Sequence, residues 1–86
     1  MPRITVKYLV NIRDKTGTGN EDLELPENAS LQDAADKIRE LHGLSLPDAR
    51  IMATLNGVGW AQCVGGMKTP LKEKDVILLF PPLSGG

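Results

Sequence analysis

Ser30-Leu31-Gln32-Asp33-Ala34-Ala35-Asp36-Lys37-Ile38-Arg39-Glu40-Leu41-His42-Gly43 reads as one complete helix with both of its ends written in. Ser30 is a capping residue whose side chain serves the first free amides, and Asp33 stands where the acid of a capping box belongs. Leu31, Ala34, Ala35, Ile38 and Leu41 fall on one helical face, while Gln32, Asp36, Lys37 and Arg39 fall elsewhere. Gly43 is placed to close the helix in a left-handed cap. A helix with one apolar face needs a second layer to bury it.

The flanking segments supply strands for that layer. Residues 3–10 alternate apolar and polar types and are rich in β-branched side chains, with Ile4, Val6, Tyr8 and Val10 on one side. Residues 11–20 carry Asn11, Asp14, Gly17, Gly19 and Asn20 and read as a polar turn region. Leu23 and Leu25, flanked by Asp22 and Glu24, give a second short strand that Pro26 closes. After the helix, Leu46-Pro47-Asp48 is a turn, and Ile51, Ala53 and Leu55 mark a strand over 50–55 that runs into Asn56-Gly57. The Gly-rich stretch from Val58 to Met67 reads as a short strand and a loose hairpin. Leu71-Lys72-Glu73-Lys74-Asp75 is a charged turn before a last strand, Val76-Ile77-Leu78-Leu79-Phe80. The order β-β-α-β-β-β predicts an α+β fold, a mixed sheet of about five strands wrapped on one main helix. Its expected core is Ile4, Val6, Leu23, Leu25, Leu31, Ile38, Leu41, Ile51 and alternate residues of the last strand. The domain spans 1–80, and 81–86 form a flexible tail.

Composition narrows the function. Eighty-six residues make one small domain with little room for a deep pocket. Ten basic and eleven acidic side chains leave a net charge of −1, which argues against a nucleic-acid partner needing a basic face. Tyr8, Trp60 and Phe80 are the only aromatics, too few for base stacking. Cys63 is the single cysteine and His42 the single histidine, so no metal-ligand spacing exists. The sequence has neither an apolar leader nor a run long enough to span a membrane, and a reducing, cytoplasmic setting is the expectation.

The last strand and its continuation are the most informative part. One helix covers only one face of the sheet, so either Val76, Leu78 and Phe80 or Ile77 and Leu79 line the other face, which is either a surface for a partner or covered by a loop. Pro81 and Pro82 hold the backbone extended and cannot donate to a ladder, so the sheet should stop at Phe80. Gly85 and Gly86 lose much conformational entropy on ordering and stabilise little. They suit a chain end that enters a narrow channel and presents its carboxylate.

Leu71-Lys72-Glu73-Lys74-Asp75 followed by Leu79-Phe80-Pro81-Pro82-Leu83-Ser84-Gly85-Gly86 resembles the C-terminal signature of the MoaD/ThiS sulfur carriers, above all the MoaD branch, the small subunits of molybdopterin synthase. The strand order, the capped helix and Leu55-Asn56-Gly57 extend the likeness over essentially the whole chain. The resemblance implies a ubiquitin-like β-grasp fold and a carrier that is not itself an enzyme and binds no cofactor. It implies that the Gly86 carboxylate, ionised at neutral pH with a reference pKa of about 3.5, is adenylated. The partner for that step is an adenylyltransferase of the ubiquitin-activating type, using ATP and magnesium. A persulfide then displaces AMP and leaves a thiocarboxylate. The tail next enters the large subunit of molybdopterin synthase and gives sulfur to a pterin precursor. Gly85 and Gly86 are then the reacting end, and Phe80, Pro81, Pro82, Leu83 and Ser84 the partner-binding residues. Two features depart from the family pattern: the segment from Asn56 to Pro70 is several residues longer and Gly-rich, and Lys74 stands before Asp75 where a glycine is usual.

Other residues have plainer roles. Gly65-Gly66-Met67-Lys68-Thr69 lacks the glycine before lysine and the following helix of a phosphate loop. Cys63 reads as a small strand or core residue, and His42 as a cation at the helix C-terminus. Lys68, Lys72 and Lys74 form either a basic rim near the tail or a solvated turn. Asp33, Asp36 and Glu40 read as solvent-facing charges. Alternatives to molybdopterin synthesis are thiocarboxylate transfer in another pathway (thiamine, cysteine or a tungsten-type cofactor), a ubiquitin-like protein modifier, and a β-grasp binding module with no activation.

Overall fold

The computed structural model describes residues 2–82. Strands β1 (Arg3–Tyr8), β2 (Asn20–Glu24), β3 (Met52–Leu55), β4 (Val58–Gly59) and β5 (Val76–Phe80) form one mixed sheet in the order β2-β1-β5-β3-β4. The first and last strands are parallel neighbours at its centre, from Thr5 opposite Val76 to Tyr8 opposite Leu79. A parallel pair needs a long crossover, and helix α2 (Leu31–His42) lies in it. This is the β-grasp arrangement, α+β with one main helix on a five-stranded sheet.

Helix α2 forms as its sequence indicates. The Ser30 amide donates to Asp33 Oδ2 at 2.8 Å, and Gly43 closes the helix at φ +74° with its amide donating to the Arg39 carbonyl at 2.8 Å. Leu31, Ala34, Ala35 and Ile38 are buried in one cluster with Ile4, Val6, Leu23, Leu25, Ile51, Ile77 and Leu79. Each fully buried Ile or Leu contributes about 1.5–3 kcal/mol by leaving water.

Four expectations need correction. Leu41 is 47% exposed and not core. The position four residues after Ile38 is the one that continues the inner row, and it is His42 that turns in, against Tyr8 and Glu21. Val10 does not extend the first strand. The ladder stops at Tyr8, and Val10 takes φ +56° and is 71% exposed. Residues 11–20 are not simply a turn: Asn11–Thr16 form a short helix, α1, which buries Ile12 and ends at Gly17 with φ +78°. The stretch after β4 is not a loose hairpin but two 3-10 turns, Trp60–Gln62 and Gly66–Lys68, with the Trp60 ring buried in the core.

Candidate functional site

Strand β5 carries the predicted site. It pairs with β1 on one side and antiparallel with β3 on the other, from Met52 opposite Phe80 to Leu55 opposite Ile77. Ile77 and Leu79 are fully buried under α2, so Val76, Leu78 and Phe80 form the half-buried row on the uncovered face. Phe80 is the last residue of the strand, as the two prolines after it require. Pro81 is half-buried and Pro82 exposed. Leu83, Ser84, Gly85 and Gly86, expected to bind the partner and to react, lie outside the described residues.

The surroundings of Phe80 are apolar in a way the sequence did not disclose. The Leu9 amide donates to the Leu79 carbonyl at 2.9 Å, which sets Leu9 and Val10 beside the strand end, and Met52 lies opposite Phe80. Leu9, Val10 and Met52 are three of the exposed large hydrophobic side chains. Leu9–Val10, Met52 and Phe80 come from three separate segments and meet only through the pairing of β1 and β3 with β5.

Beneath this end sits a polar cluster. Glu21 Oε1 accepts from the Tyr8 hydroxyl at 2.6 Å and faces His42 Nε2 at 2.5 Å, while the Tyr8 and His42 rings meet edge to face at 5.3 Å. Burial pushes the Tyr8 hydroxyl well above its ordinary value, and the bond to Glu21 adds to that. Burial also raises Glu21, but the bonds from Tyr8 and His42 outweigh it and leave its carboxyl below the usual range. The cluster staples β1, β2 and the end of α2 together. His42 therefore does more than face the helix dipole. The only sequence signal was a histidine four residues beyond Ile38.

The upstream end of β5 is held differently. Asp75 accepts from the Lys72 amide at 2.8 Å and from Asn56 Nδ2 at 3.0 Å, while its carbonyl accepts from the Thr5 amide at 2.9 Å. Asn56 Oδ1 in turn accepts from the Val76 amide at 2.9 Å. Lys74 takes φ +72°, the left-handed conformation that favours glycine, and its amide still reaches the Arg3 carbonyl at 2.8 Å. The turn thus keeps its shape with a lysine in it. Lys72 and Lys74 precede Val76, which is itself about 13 Å from Phe80 at the strand's rise per residue, so these two do not form a rim at the tail.

The remaining chemistry is structural. Cys63 is half-buried, with its sulfur 3.5 Å from the Gly59 carbonyl. The Thr69 hydroxyl lies 2.7 Å from both the Val64 and Gly66 carbonyls, so the Gly65–Thr69 segment satisfies itself and cradles nothing. Asp33 and Asp36 make only local bonds, to Ser30 and Gln32. Among the described residues no His, Cys, Asp and Glu group is arranged to hold a metal, and no helix is long and apolar enough to cross a membrane.

Three comparisons bear on this geometry. Residues 6–86 match the ThiS family. A Pyrococcus furiosus protein provisionally assigned as molybdopterin converting factor subunit 1 has 26% identity and a TM-score of 0.80, covering 96% of this chain and 100% of its own. A chain of the complex of subunits 1 and 2 of molybdopterin-converting factor from Helicobacter pylori has 25% identity and a TM-score of 0.66, covering 98% of this chain and 99% of its own. Small archaeal modifier protein 1 from Methanosarcina acetivorans shares the fold at 24% identity and a TM-score of 0.78, covering 100% and 98%. No curated protein sequence matches the chain. With a β-grasp body, a sheet that ends at Phe80-Pro81-Pro82 and a family match over residues 6–86, the chain belongs to the ThiS family, small non-catalytic β-grasp sulfur carriers.

Proposed function

We propose that the chain carries sulfur on its C-terminal glycine for the synthesis of molybdopterin. The observation that carries this reading is the downstream end of β5: the ladder stops at Phe80, the prolines direct the chain out of the sheet, and Phe80 sits on the uncovered face among Leu9, Val10 and Met52. Gly85 and Gly86 then present a carboxylate with no side chains to obstruct a channel. Likeness to chains of molybdopterin converting factor at 25–26% identity supports the pathway. The subunit 1–subunit 2 complex of Helicobacter pylori supports a synthase large subunit as one partner.

The carboxylate is unreactive until activated. In the proposed sequence its oxygen attacks the α-phosphorus of magnesium-ATP on an adenylyltransferase, releasing pyrophosphate and forming an acyl adenylate. The terminal sulfur of a persulfide displaces AMP, and a thiol that reduces the resulting acyl disulfide leaves the thiocarboxylate. Positioning and charge stabilisation for these steps come from the partner. This chain contributes the slender acyl end and an apolar surface that orients it.

Intact-mass measurement after incubation with an activating enzyme, magnesium-ATP and a sulfur donor tests the reading. Exchange of one oxygen for sulfur at the terminus, followed by its loss on adding the synthase large subunit and pterin precursor, is the expected result. High-mass conjugates to lysines without sulfur exchange would instead identify a modifier, and an unchanged mass a binding module.

A further inference from the structure

The edge of the sheet nearest the tail is incomplete. Strand β4 pairs only Val58 and Gly59 with Leu55 and Thr54, after which the chain leaves the sheet as the Trp60–Gln62 turn. Among the described residues, Met52 and Ala53 therefore have no strand beside them on that side. A groove of about 420 Å³ runs along this edge, walled by Pro47, Met52, Ala53, Trp60, Ala61 and Gln62, and its surface is mostly apolar. Its lip, Met52, is the residue opposite Phe80, so the groove opens beside the point where the tail departs.

Two polar atoms mark the same wall. Thr54 Oγ1 and Trp60 Nε1 are both buried, and neither has a hydrogen-bond partner among the described residues. A covered donor or acceptor without a partner is unfavourable. Both residues line the groove, and an occupant with main-chain amides and carbonyls would supply the partners these atoms lack. An unpaired strand edge with an apolar groove beside it is the surface to which an extended segment adds as a further strand.

The occupant follows from the tail. Four residues extend beyond Pro82, a reach of about 13 Å when extended, so a protein that grips Gly86 stands against Phe80, Met52 and the groove mouth. Resting on the tail-activation reading above, we propose that the groove along Met52–Ala53 receives an extended apolar segment of the adenylyltransferase. That segment adds to the free edge of β3 and draws hydrogen bonds from Trp60 and Thr54. The tail would then be delivered in a fixed orientation by main-chain pairing, in addition to apolar contact around Phe80.

The test is magnesium-ATP–pyrophosphate exchange by the adenylyltransferase with the full chain as substrate. Ala61 is an exposed groove residue, and Ala61→Arg fills the groove without replacing a core side chain. It should raise KM for the chain about tenfold, leave kcat within about twofold, and melt as the parent does. Trp60→Phe, which deletes the orphan N–H, should raise KM about threefold for the folded chain while lowering the melting temperature, because the smaller ring leaves space in the core. Normal exchange by the parent with an unchanged KM in Ala61→Arg overturns the groove alone. Should the arginine variant not fold, Ala61→Asp gives the same reading. No exchange by the parent overturns the tail-activation reading and the groove with it.

Discussion

The two ends of β5 are built on opposite plans. At the upstream end Asp75, Asn56, Lys72 and Thr5 tie the strand to its neighbours through side-chain and main-chain hydrogen bonds, tightly enough to hold Lys74 in a left-handed turn. At the downstream end one Leu9 amide still reaches the Leu79 carbonyl, and the ladder stops at Phe80, before two prolines that bring no amide to it. Between them Ile77 and Leu79 are fully buried. A strand anchored at one end and buried along its middle is a rigid post for whatever leaves its other end. That is what a carrier needs, since a partner's channel must find the terminus at a set distance and direction from a docking surface.

The sharpest way to break this comparison lies in neighbouring residues on opposite faces. Leu79→Ala should cost about 2–5 kcal/mol in denaturant unfolding, as a large-to-small change in a full core does. Phe80→Ala should cost under about 1.5 kcal/mol of stability, because its ring is only half-buried, while it weakens binding to the activating enzyme severely. Equal losses of stability in the two variants would move Phe80 into the core and away from the docking surface.

The anchored end is tested next. Asp75→Ala leaves the Lys72 amide and the Asn56 amide group without their acceptor and should cost about 1–3 kcal/mol. Activation of the remaining folded chain should stay normal, because this end faces away from the tail. A third test concerns what lies beneath the downstream end. Glu21 has its carboxyl held below the ordinary range when folded, so its contribution to stability is complete above that range and is lost as pH falls through the folded value. Glu21→Gln should flatten that acid limb in a pH series of melting temperatures. An unaltered limb would mean that the Tyr8–Glu21–His42 cluster is not coupled to folding. The smallest effect should come from Lys74→Gly, which relieves the left-handed strain at φ +72° and should stabilise by about 0.5–1 kcal/mol, the gain being offset in part by unfolded-state entropy.

Which parts of this arrangement were legible in the sequence follows from physical scale. Helix α2 and strands β1, β2 and β5 announce themselves because their apolar period repeats several times and caps or prolines mark their ends. Helix α1 has six residues and one buried side chain, Ile12, too little for a period to emerge. Its one clear sign was Gly17 in position to close it. Trp60 was hidden by the glycines around it, which suggested looseness where the large ring in fact fills the core. The Phe80 surroundings and the Asn56–Asp75 lock depend on strand register, which brings together residues far apart in the chain and has no local signature. The row of β5 facing out was an even choice from sequence, because all five of its residues are apolar, and only α2's position decides it. Gly85 and Gly86 lie outside the described residues, and their role is proposed from their type and place in the sequence.

The most direct test of the central claim is to append one alanine after Gly86 and follow activation by intact mass while recording the melt. The account predicts an unchanged melting temperature and no acyl adenylate or thiocarboxylate, since the extended end no longer fits the channel. Normal activation of the extended chain, with the added alanine still attached, would contradict it.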